Sequence, residues 1–400
     1  MPSDFFKKLK DAAEGAVGKI EGAIDVAVDK AGDAAQHVAD AVDKTVEGVF
    51  RKAKEVIVYP TYAYRKDGDD GAWVVRLCVW VSKARRLPVP DQVVAAFASE
   101  MGELSADEVA RVRERISGFV ADDDSRETLT VRFDRDPETH TYKLPGETDA
   151  NGLLMTELEL PDASARAILA AQESANGWLN FTVAAEGFEG KGHCRLVEPE
   201  GVSVISDIDD TIKITEVPAG KRVVLRNTFL RDYKPTARMP EIYREFGDGV
   251  MFHYVSGSPW QLYKLLGEFV RGSFPEGAFH MKNVRKNLFV PDSWHDSFEF
   301  AKGKEATFDQ KVEQISKILK TFPRRKFILF GDSGEKDPEV FRKIKREFGE
   351  QVSKIFIRDV VGERIKTKPH RLDESDGAHA DDVHMEVIEA DLIEHGVSHL

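Results

Sequence analysis

Apolar positions recur every eleven residues at the start of this chain. Phe6, Val17, Val28, Ala39 and Phe50 share one register; Leu9, Ile20, Ala31 and Val42 share a second; Ala13, Ile24, Ala35 and Val46 share a third. Eleven residues make three turns at about 3.67 residues per turn, so such a stripe hardly drifts around a helix. The pattern predicts an amphipathic helix over residues 1–54, with aspartates and lysines on its other face. Four glycines, Gly15, Gly18, Gly22 and Gly32, lower its intrinsic helicity, which suits a helix that orders on contact. An alanine-rich, weakly apolar stripe of this kind lies on a lipid surface or packs against protein, and both remain open.

From residue 55 the pattern shifts to short β-branched and aromatic runs. Val56–Tyr64, Trp73–Val81, Thr128–Phe133, Leu153–Leu160 and Trp178–Glu186 read as strands, with turn signals at Lys66-Asp67-Gly68 and Asp149-Ala150-Asn151-Gly152. Helical patches interrupt at 91–101 and 106–119, the second opened by a Ser105-x-x-Glu108 capping box. Residues 55–198 are therefore expected to form a β-rich, sandwich-like domain with helical insertions, and nothing in them suggests a second active site.

A third pattern begins near residue 199. Val202 to Ser206, Phe252 to Val255 and Lys326 to Phe330 are apolar runs typical of buried strands, and helix-like segments follow each. Every one of them runs into polar chemistry: Asp207-x-Asp209-x-Thr211, then Ser256-Gly257-Ser258, then Gly331-Asp332 with Asp337 five residues on. In a parallel sheet these ends share one edge, where ligands bind. Carboxylates two apart converge past a strand end, and side by side they need a cation or a shared proton. Asp207, Asp209 and Asp332 make a hard, all-oxygen set that suits Mg²⁺ and a phosphate-bearing substrate. One acid can then attack while the other handles protons. Ser256 offers a hydroxyl to a phosphoryl oxygen, and Lys311, on the helix-like segment before the third strand, can neutralise developing charge.

This order of motifs resembles the haloacid dehalogenase superfamily of phosphotransferases. Within it, SDIDDTIK (206–213), NTF (227–229), YVSGSPWQLY (254–263), FPEG (274–277) and FILFGDSGEKDPE (327–339) are similar to the actin-patch-type phosphatidate phosphatases of fungi and their bacterial relatives. The likeness covers about residues 200–362. It implies a Rossmann-like parallel-sheet phosphatase domain of haloacid dehalogenase type over 199–365, giving an α/β chain with the β-sandwich-like domain and amphipathic helix before it. It further implies Asp207 as nucleophile, Asp209 as acid and base, and Thr211 as their orienting partner. Ser256 and Gly257 would bind the phosphoryl group, and Lys311 would hold its charge. The metal would be Mg²⁺, bound by Asp207, Asp332 and the backbone carbonyl of Asp209, with Asp337 supporting it through water. The family often has His-Lys at Gln310-Lys311, so Lys302, Lys304 and Lys317 stay open as alternatives for the charge-holding lysine. Glu335 stands where relatives often have Gln.

Composition refines the functional classes. The net charge of −13 argues against general nucleic-acid binding. Charge is uneven, however: Lys213, Lys221, Arg222, Arg226, Arg231, Lys234 and Arg238 face only Glu216 and Asp232 within 213–238. With Leu225, Phe229, Leu230 and Tyr233 interleaved, that segment reads as a basic rim drawing phosphatidate or another anionic phospholipid. Cys78 and Cys194 are too far apart for a metal pattern and suggest no disulfide framework. No apolar run is long enough for a signal peptide core or a membrane span, so the expectation is a cytoplasmic protein held peripherally at membranes through residues 5–50 and 213–238. The acidic, His-rich tail, 366–400, lacks metal-ligand spacing; residues 380–394 suggest one short amphipathic helix. Three functions fit the sequence: a Mg²⁺-dependent phosphatidate phosphatase, the same chemistry on a soluble phosphomonoester, or a membrane- or stress-associated binding protein with a vestigial phosphatase domain.

Overall fold

The β-branched runs between residues 54 and 197 pair into one nine-stranded sheet in the computed structural model. The structure describes residues 54–66, 71–83, most of 94–117, 122–123, 125–282, 304–360 and 386–389. The helix expected before residue 54 and most of the tail lie outside the described residues. The single strand expected over Val56–Tyr64 is two, β1 (Lys54–Val58) and β2 (Thr61–Arg65). They break at Tyr59-Pro60, where proline has no N–H to give the ladder. Both run antiparallel to β3 (Trp73–Lys83), whose other edge carries β4 (Asp122–Asp123) and β7 (Leu153–Leu160). From β2 the sheet continues through β9 (Phe188–Val197), β8 (Trp178–Ala185), β5 (Thr130–Phe133) and β6 (Tyr142–Lys143).

This is one continuous sheet, not the two sheets of the expected sandwich. Its ends nonetheless share a core: Val75 and Val79 of β3 cluster with Val131, Phe133 and Phe181 of β5 and β8. β1 crosses so close to β9 that a Cβ at Gly190 would fall 2.1 Å from the Val56 carbonyl oxygen, an approach only glycine permits. Helix α1 (Ala106–Ile116) opens with the expected capping box, in which Ser105 and Glu108 exchange side-chain and backbone bonds. Neither β9 nor α2 (Asp162–Ala171) was expected from the pattern.

Six further strands form a second, wholly parallel sheet. They are β10 (Val202–Ser206), β11 (Met251–Pro259), β12 (Gly277–Lys282), β13 (Lys326–Asp332), β14 (Val352–Asp359) and β15 (Glu386–Glu389), in the order β12-β11-β10-β13-β14-β15. β15 occupies the centre of the tail segment expected to be helical. Val387 and Ile388 are β-branched, and the open edge of β14 supplies backbone partners, so tertiary pairing overrides the helical period.

Alternate strand residues face opposite ways, and helices cover both faces. Val204, Phe252, Phe330 and Phe356 pack with residues of α3 (Lys221–Phe229), α4 (Met239–Glu245) and α5 (Tyr263–Ser273). Ile205, Leu329, Ile355 and Ile357 pack with α6 (Lys304–Thr321) and α7 (Asp337–Phe348). The two sheets also meet directly. Tyr59 donates its hydroxyl to the Trp260 carbonyl at 3.0 Å, the Phe279 N–H reaches the Pro60 carbonyl, and Tyr59 and Trp80 join the core of the parallel sheet. Between them, Arg325 is buried on the carbonyls of Glu198 and Val202 and on Ser203 Oγ, fixing the junction.

Candidate active site

Because the second sheet is parallel, the carboxyl ends of β10, β11 and β13 lie on one edge. Asp207 follows β10 directly, and its N–H extends the ladder to the Phe330 carbonyl at 2.9 Å. Its carboxylate is buried. Oδ1 lies 2.8 Å from Lys311 Nζ, and Oδ2 accepts a longer bond, 3.3 Å, from the Thr211 hydroxyl. Lys311 is buried on the inner face of α6 and also reaches Asp337 Oδ1 at 2.6 Å and Glu335 Oε2 at 2.8 Å. Lys317, an alternative charge-holder by sequence, is exposed and pairs with Glu313 one turn before it. Lys302 and the side chain of Lys304 lie outside the described residues.

β13 delivers the remaining acids. Asp332 ends the strand, and its Oδ1 accepts from the N–H groups of Gly334 and Glu335. Asp337 does not cap its own helix: Oδ2 accepts from the Asp332 N–H at 3.2 Å while Oδ1 holds Lys311. That inward turn depends on Gly331, where a Cβ would fall 2.6 Å from Asp337 Oδ2. Asp207, Asp332 and Asp337 bring ligand oxygens within 4.8 Å of one another, a group placed to hold a cation.

The donor set fits a hard divalent ion. Asp332 Oδ2 is buried with no hydrogen-bond partner, an expensive state for a carboxylate oxygen unless a cation meets it. Lys311 is the ammonium that contacts Asp207, Asp337 and Glu335, so these carboxylates outnumber it. Burial pushes the carboxyl of Asp207 well above its usual range; Lys311 pulls it down, and Asp337, Glu335 and Asp209 push it further up. Asp332 is raised likewise, first by burial and then by Asp337 and Glu335. For Lys311, burial works against the ammonium, but the surrounding carboxylates reverse that and hold it charged. Positive charge placed among these oxygens would draw the acids back to their ionised forms.

Asp209 has other company. Its Oδ1 takes Lys213 Nζ at 2.8 Å and the Thr215 hydroxyl at 2.7 Å, and its Oδ2 takes the Ser258 hydroxyl at 3.0 Å. Its carboxylate therefore stands outside the group of Asp207, Asp332 and Asp337, although spacing in the sequence set it with Asp207 and Asp332; the metal role expected of Asp209 was for its backbone carbonyl. Burial raises its carboxyl, but Lys213 and the hydroxyl donors outweigh that and hold it below the usual range. Lys213 itself, expected on an exposed basic rim, is buried against Asp209 and the Tyr233 ring. The same correction applies to Leu225, Phe229 and Leu230, which are core residues and add no apolar surface to the rim; Arg222, Arg231, Lys234 and Arg238 are exposed.

Ser256 is fully buried in the second half of β11 and accepts the Ser258 N–H at 3.0 Å. Gly257 is half-buried, and a Cβ there would lie 3.2 Å from Thr307 Cγ2 on α6. Sequence reasoning missed Lys213, Thr215 and Ser258 as partners of Asp209, and set Glu335 aside. The i, i+4 spacing of Asp209 and Lys213, and a second serine in Ser256-Gly257-Ser258, were the available signals.

The stretch that builds this edge has known relatives. Residues 202–359 match the family model described as phosphatidate phosphatase APP1, catalytic domain. The phosphatidate phosphatase APP1 of Saccharomyces cerevisiae is 37% identical over 166 residues, covering 40% of this chain and 26% of that protein. An uncharacterized protein of Schizosaccharomyces pombe is 28% identical over 176 residues, 42% of this chain and 27% of that one. The chain thus spans about a quarter of the length of these curated relatives. Among solved structures, a carbohydrate acetylesterase from Xanthomonas citri aligns with 76% of this chain and 60% of its own at 10% identity, but a TM-score of 0.23 carries no argument. The region that carries Asp207, Asp209, Lys311, Asp332 and Asp337 is therefore similar, from β10 to β14, to the catalytic domain of phosphatidate phosphatase APP1.

Proposed function

We propose that residues 202–359 form a Mg²⁺-dependent phosphomonoesterase of the haloacid dehalogenase superfamily that hydrolyses phosphatidate to diacylglycerol and phosphate. The observation that carries the reading is the buried group of Asp207, Asp332 and Asp337 at the edge of a parallel sheet, with the unpartnered oxygen of Asp332. The substrate class rests on the similarity to a phosphatidate phosphatase catalytic domain. Mg²⁺ would be held by Asp207, Asp332 and Asp337, and would neutralise charge on the phosphate oxygens.

The chain's own residues then divide the work. Asp207 attacks phosphorus in line, breaking the bond to the glycerol oxygen and taking the phosphoryl group as an acyl phosphate. Lys311, fixed between Asp207 and Asp337, offsets charge on the phosphoryl oxygens, and Ser256 and Gly257 line its approach. Asp209 gives a proton to the departing oxygen and later takes one from the water that attacks phosphorus and frees Asp207. In the structure Asp209 is held ionised, the form needed for the second step. Its protonated form for the first step is favoured once a phosphate dianion binds beside it, since like charge raises a carboxyl pKa.

The enzyme would work at a membrane surface on the cytoplasmic side, with the eleven-residue repeat of residues 5–50 lying on lipid and the exposed arginines and lysines of 213–238 facing anionic headgroups. Phosphate release is the deciding assay, with phosphatidate vesicles and a soluble sugar phosphate offered in parallel, each with Mg²⁺ and with chelator. Metal-dependent release from the lipid is expected. Release from the sugar phosphate alone would move the substrate to a soluble ester, and chelator-resistant release would remove the metal.

A further inference from the structure

A cleft of about 880 Å³ opens between the two sheets, within the range of about 300–1,000 Å³ typical of small-molecule sites. Its apolar lining comes from Tyr59, Leu77 and Met155 of the first sheet and from Trp260, Phe279 and Met281 of the second, set among polar and charged side chains such as Thr61, Arg76, Glu157 and Lys282. Met155 is 60% exposed, an unusual position for a large apolar side chain on the face of a sheet. Helix α6 lines the cleft too. There both amide atoms of Gln310, and Oε1 of Gln314, are buried without hydrogen-bond partners, as is the indole N–H of Trp260 elsewhere in the lining.

Two elements that line the cleft also reach the catalytic edge. Ser258 donates to Asp209, and Trp260, two residues on, lines the cleft. On α6, Lys311 reaches Asp207 while its neighbour Gln310 turns to the cleft, as side chains about 100° apart on a helix must. Among the cations lining the cleft, Arg76 pairs with Glu157 and the Tyr62 hydroxyl and Lys317 with Glu313, and Lys282 has an interaction of its own. A second anionic group is not what this space calls for. The apolar side chains and the unpartnered donors of Trp260 and Gln310 suit an occupant that combines apolar stretches with neutral acceptors.

Building on the phosphatase reading above, we propose that this cleft receives the acyl portion of the lipid whose phosphate lies at Asp207. The chain lies along Met155, Leu77 and Phe279, and ester carbonyls accept from the Trp260 indole and the Gln310 amide. The amide oxygens of Gln310 and Gln314 are left to water. Specificity for a lipid over a tailless phosphomonoester then resides in the contact between the two sheets and not in the phosphate site.

The test uses the full chain and monomerically dispersed substrates: glycerol 3-phosphate, then dibutyryl, dihexanoyl and dioctanoyl phosphatidate. In the wild type kcat/KM should rise by up to about fourfold for each methylene buried, until the cleft is filled. Met155→Glu sets a charge on an already exposed position of the wall. It should lower the ratio of kcat/KM for the dioctanoyl ester to that for glycerol 3-phosphate by at least about tenfold. A ratio within about twofold of wild type would overturn the proposal. So would a wild type that hydrolyses all of these substrates without regard to chain length, although the phosphatase reading would then stand. Should no substrate be hydrolysed, that reading fails and binding decides the cleft. A phosphatidate brominated on its acyl chain should quench wild-type tryptophan fluorescence, with most of the quenching lost in Trp260→Phe. Unchanged quenching in that variant, or none in the wild type, would place the chains elsewhere.

Discussion

Three acids within four residues, Asp207, Asp209 and Asp210, have three different surroundings, and those surroundings assign their work. Asp207 meets Lys311 and the metal-type group, Asp209 meets Lys213 and two hydroxyls, and Asp210 turns away from both. The Asp210 carboxylate takes the N–H groups of Thr215, Glu216 and Val217 at 2.6–2.8 Å, while its backbone sits at φ 58°. It pins the loop that returns Lys213 and Thr215 to Asp209. Asp210→Ala leaves buried amides unmatched and should cost on the order of 3 kcal/mol in denaturant unfolding, with activity lost through the displaced Lys213. Lys311→Met should be more severe for catalysis than for folding. It removes a charge that buried acids share, and those acids can protonate instead, so a variant that folds but turns over at least about 10²-fold more slowly is expected. Retained turnover would return Lys311 to a structural role. The paired acids were legible from residue type and spacing, and Lys311 only as one of four candidate lysines. The partners of Asp209 were not, because they depend on a loop that doubles back through Asp210 and leaves no periodic trace in the chain.

At the scale of elements, the site depends on how closely α7 approaches β13. Gly331 is the gap through which Asp337 reaches the strand, and Gly331→Ala would push that carboxylate off both Asp332 and Lys311. A loss of about 10²-fold in kcat with little change in secondary structure by circular dichroism is expected, since a shift of an ångström in a catalytic constellation has that effect. β11 and β12 carry a second device, the buried His253 with Nδ1 3.3 Å from Nε2 of His280. Burial holds both imidazoles neutral, His253 well below its usual range and His280 down to about 3, with nearby Arg76 adding to each. The unfolded chain, titrating near pH 6.5, binds protons that the folded one refuses. Stability from these rings is therefore complete above about pH 6.5 and is lost as pH falls toward 3. Acidic residues titrate oppositely at the site, so the clean measure is a difference between variants. The unfolding free energy of wild type minus that of His253→Gln should fall with acidification by up to about 1.4 kcal/mol per pH unit, and a flat difference would contradict the account. Strands bounded by turn signals were readable in advance. β9 was missed because its glycines, which let β1 cross it, make it read as a loop, and β15 because only β14 decides its pairing.

The whole molecule couples its sheets through shared apolar residues, and that contact is also where the acyl cleft lies. Tyr59 and Trp80 belong to the core that holds Tyr254 and Phe330, so unfolding of the described residues should be one event. Tryptophan fluorescence and far-UV circular dichroism should give coincident guanidinium transitions; separated midpoints would show that the sheets fold apart. Tyr59→Phe strips the bond to the Trp260 carbonyl and should cost about 1–3 kcal/mol. Sequence patterns did not show this contact, because residues far apart in the chain meet only after both sheets form. Among the described residues no helix is long and apolar enough to cross a membrane. On the proposed function, a lipid substrate would be met by the exposed basic side chains of 213–238 and the mouth of the cleft.

The central claim is that Asp207 carries the phosphoryl group, and chemical trapping tests it most directly. Enzyme turning over phosphatidate with Mg²⁺ would be quenched with acid, reduced with borohydride and mapped by peptide mass spectrometry. An acyl phosphate on Asp207 would be reduced to the alcohol, so homoserine at position 207 is the expected result, absent without substrate and absent in Asp207→Asn. Continued turnover by Asp207→Asn, or homoserine at a different aspartate while position 207 stays unmodified, would contradict the account.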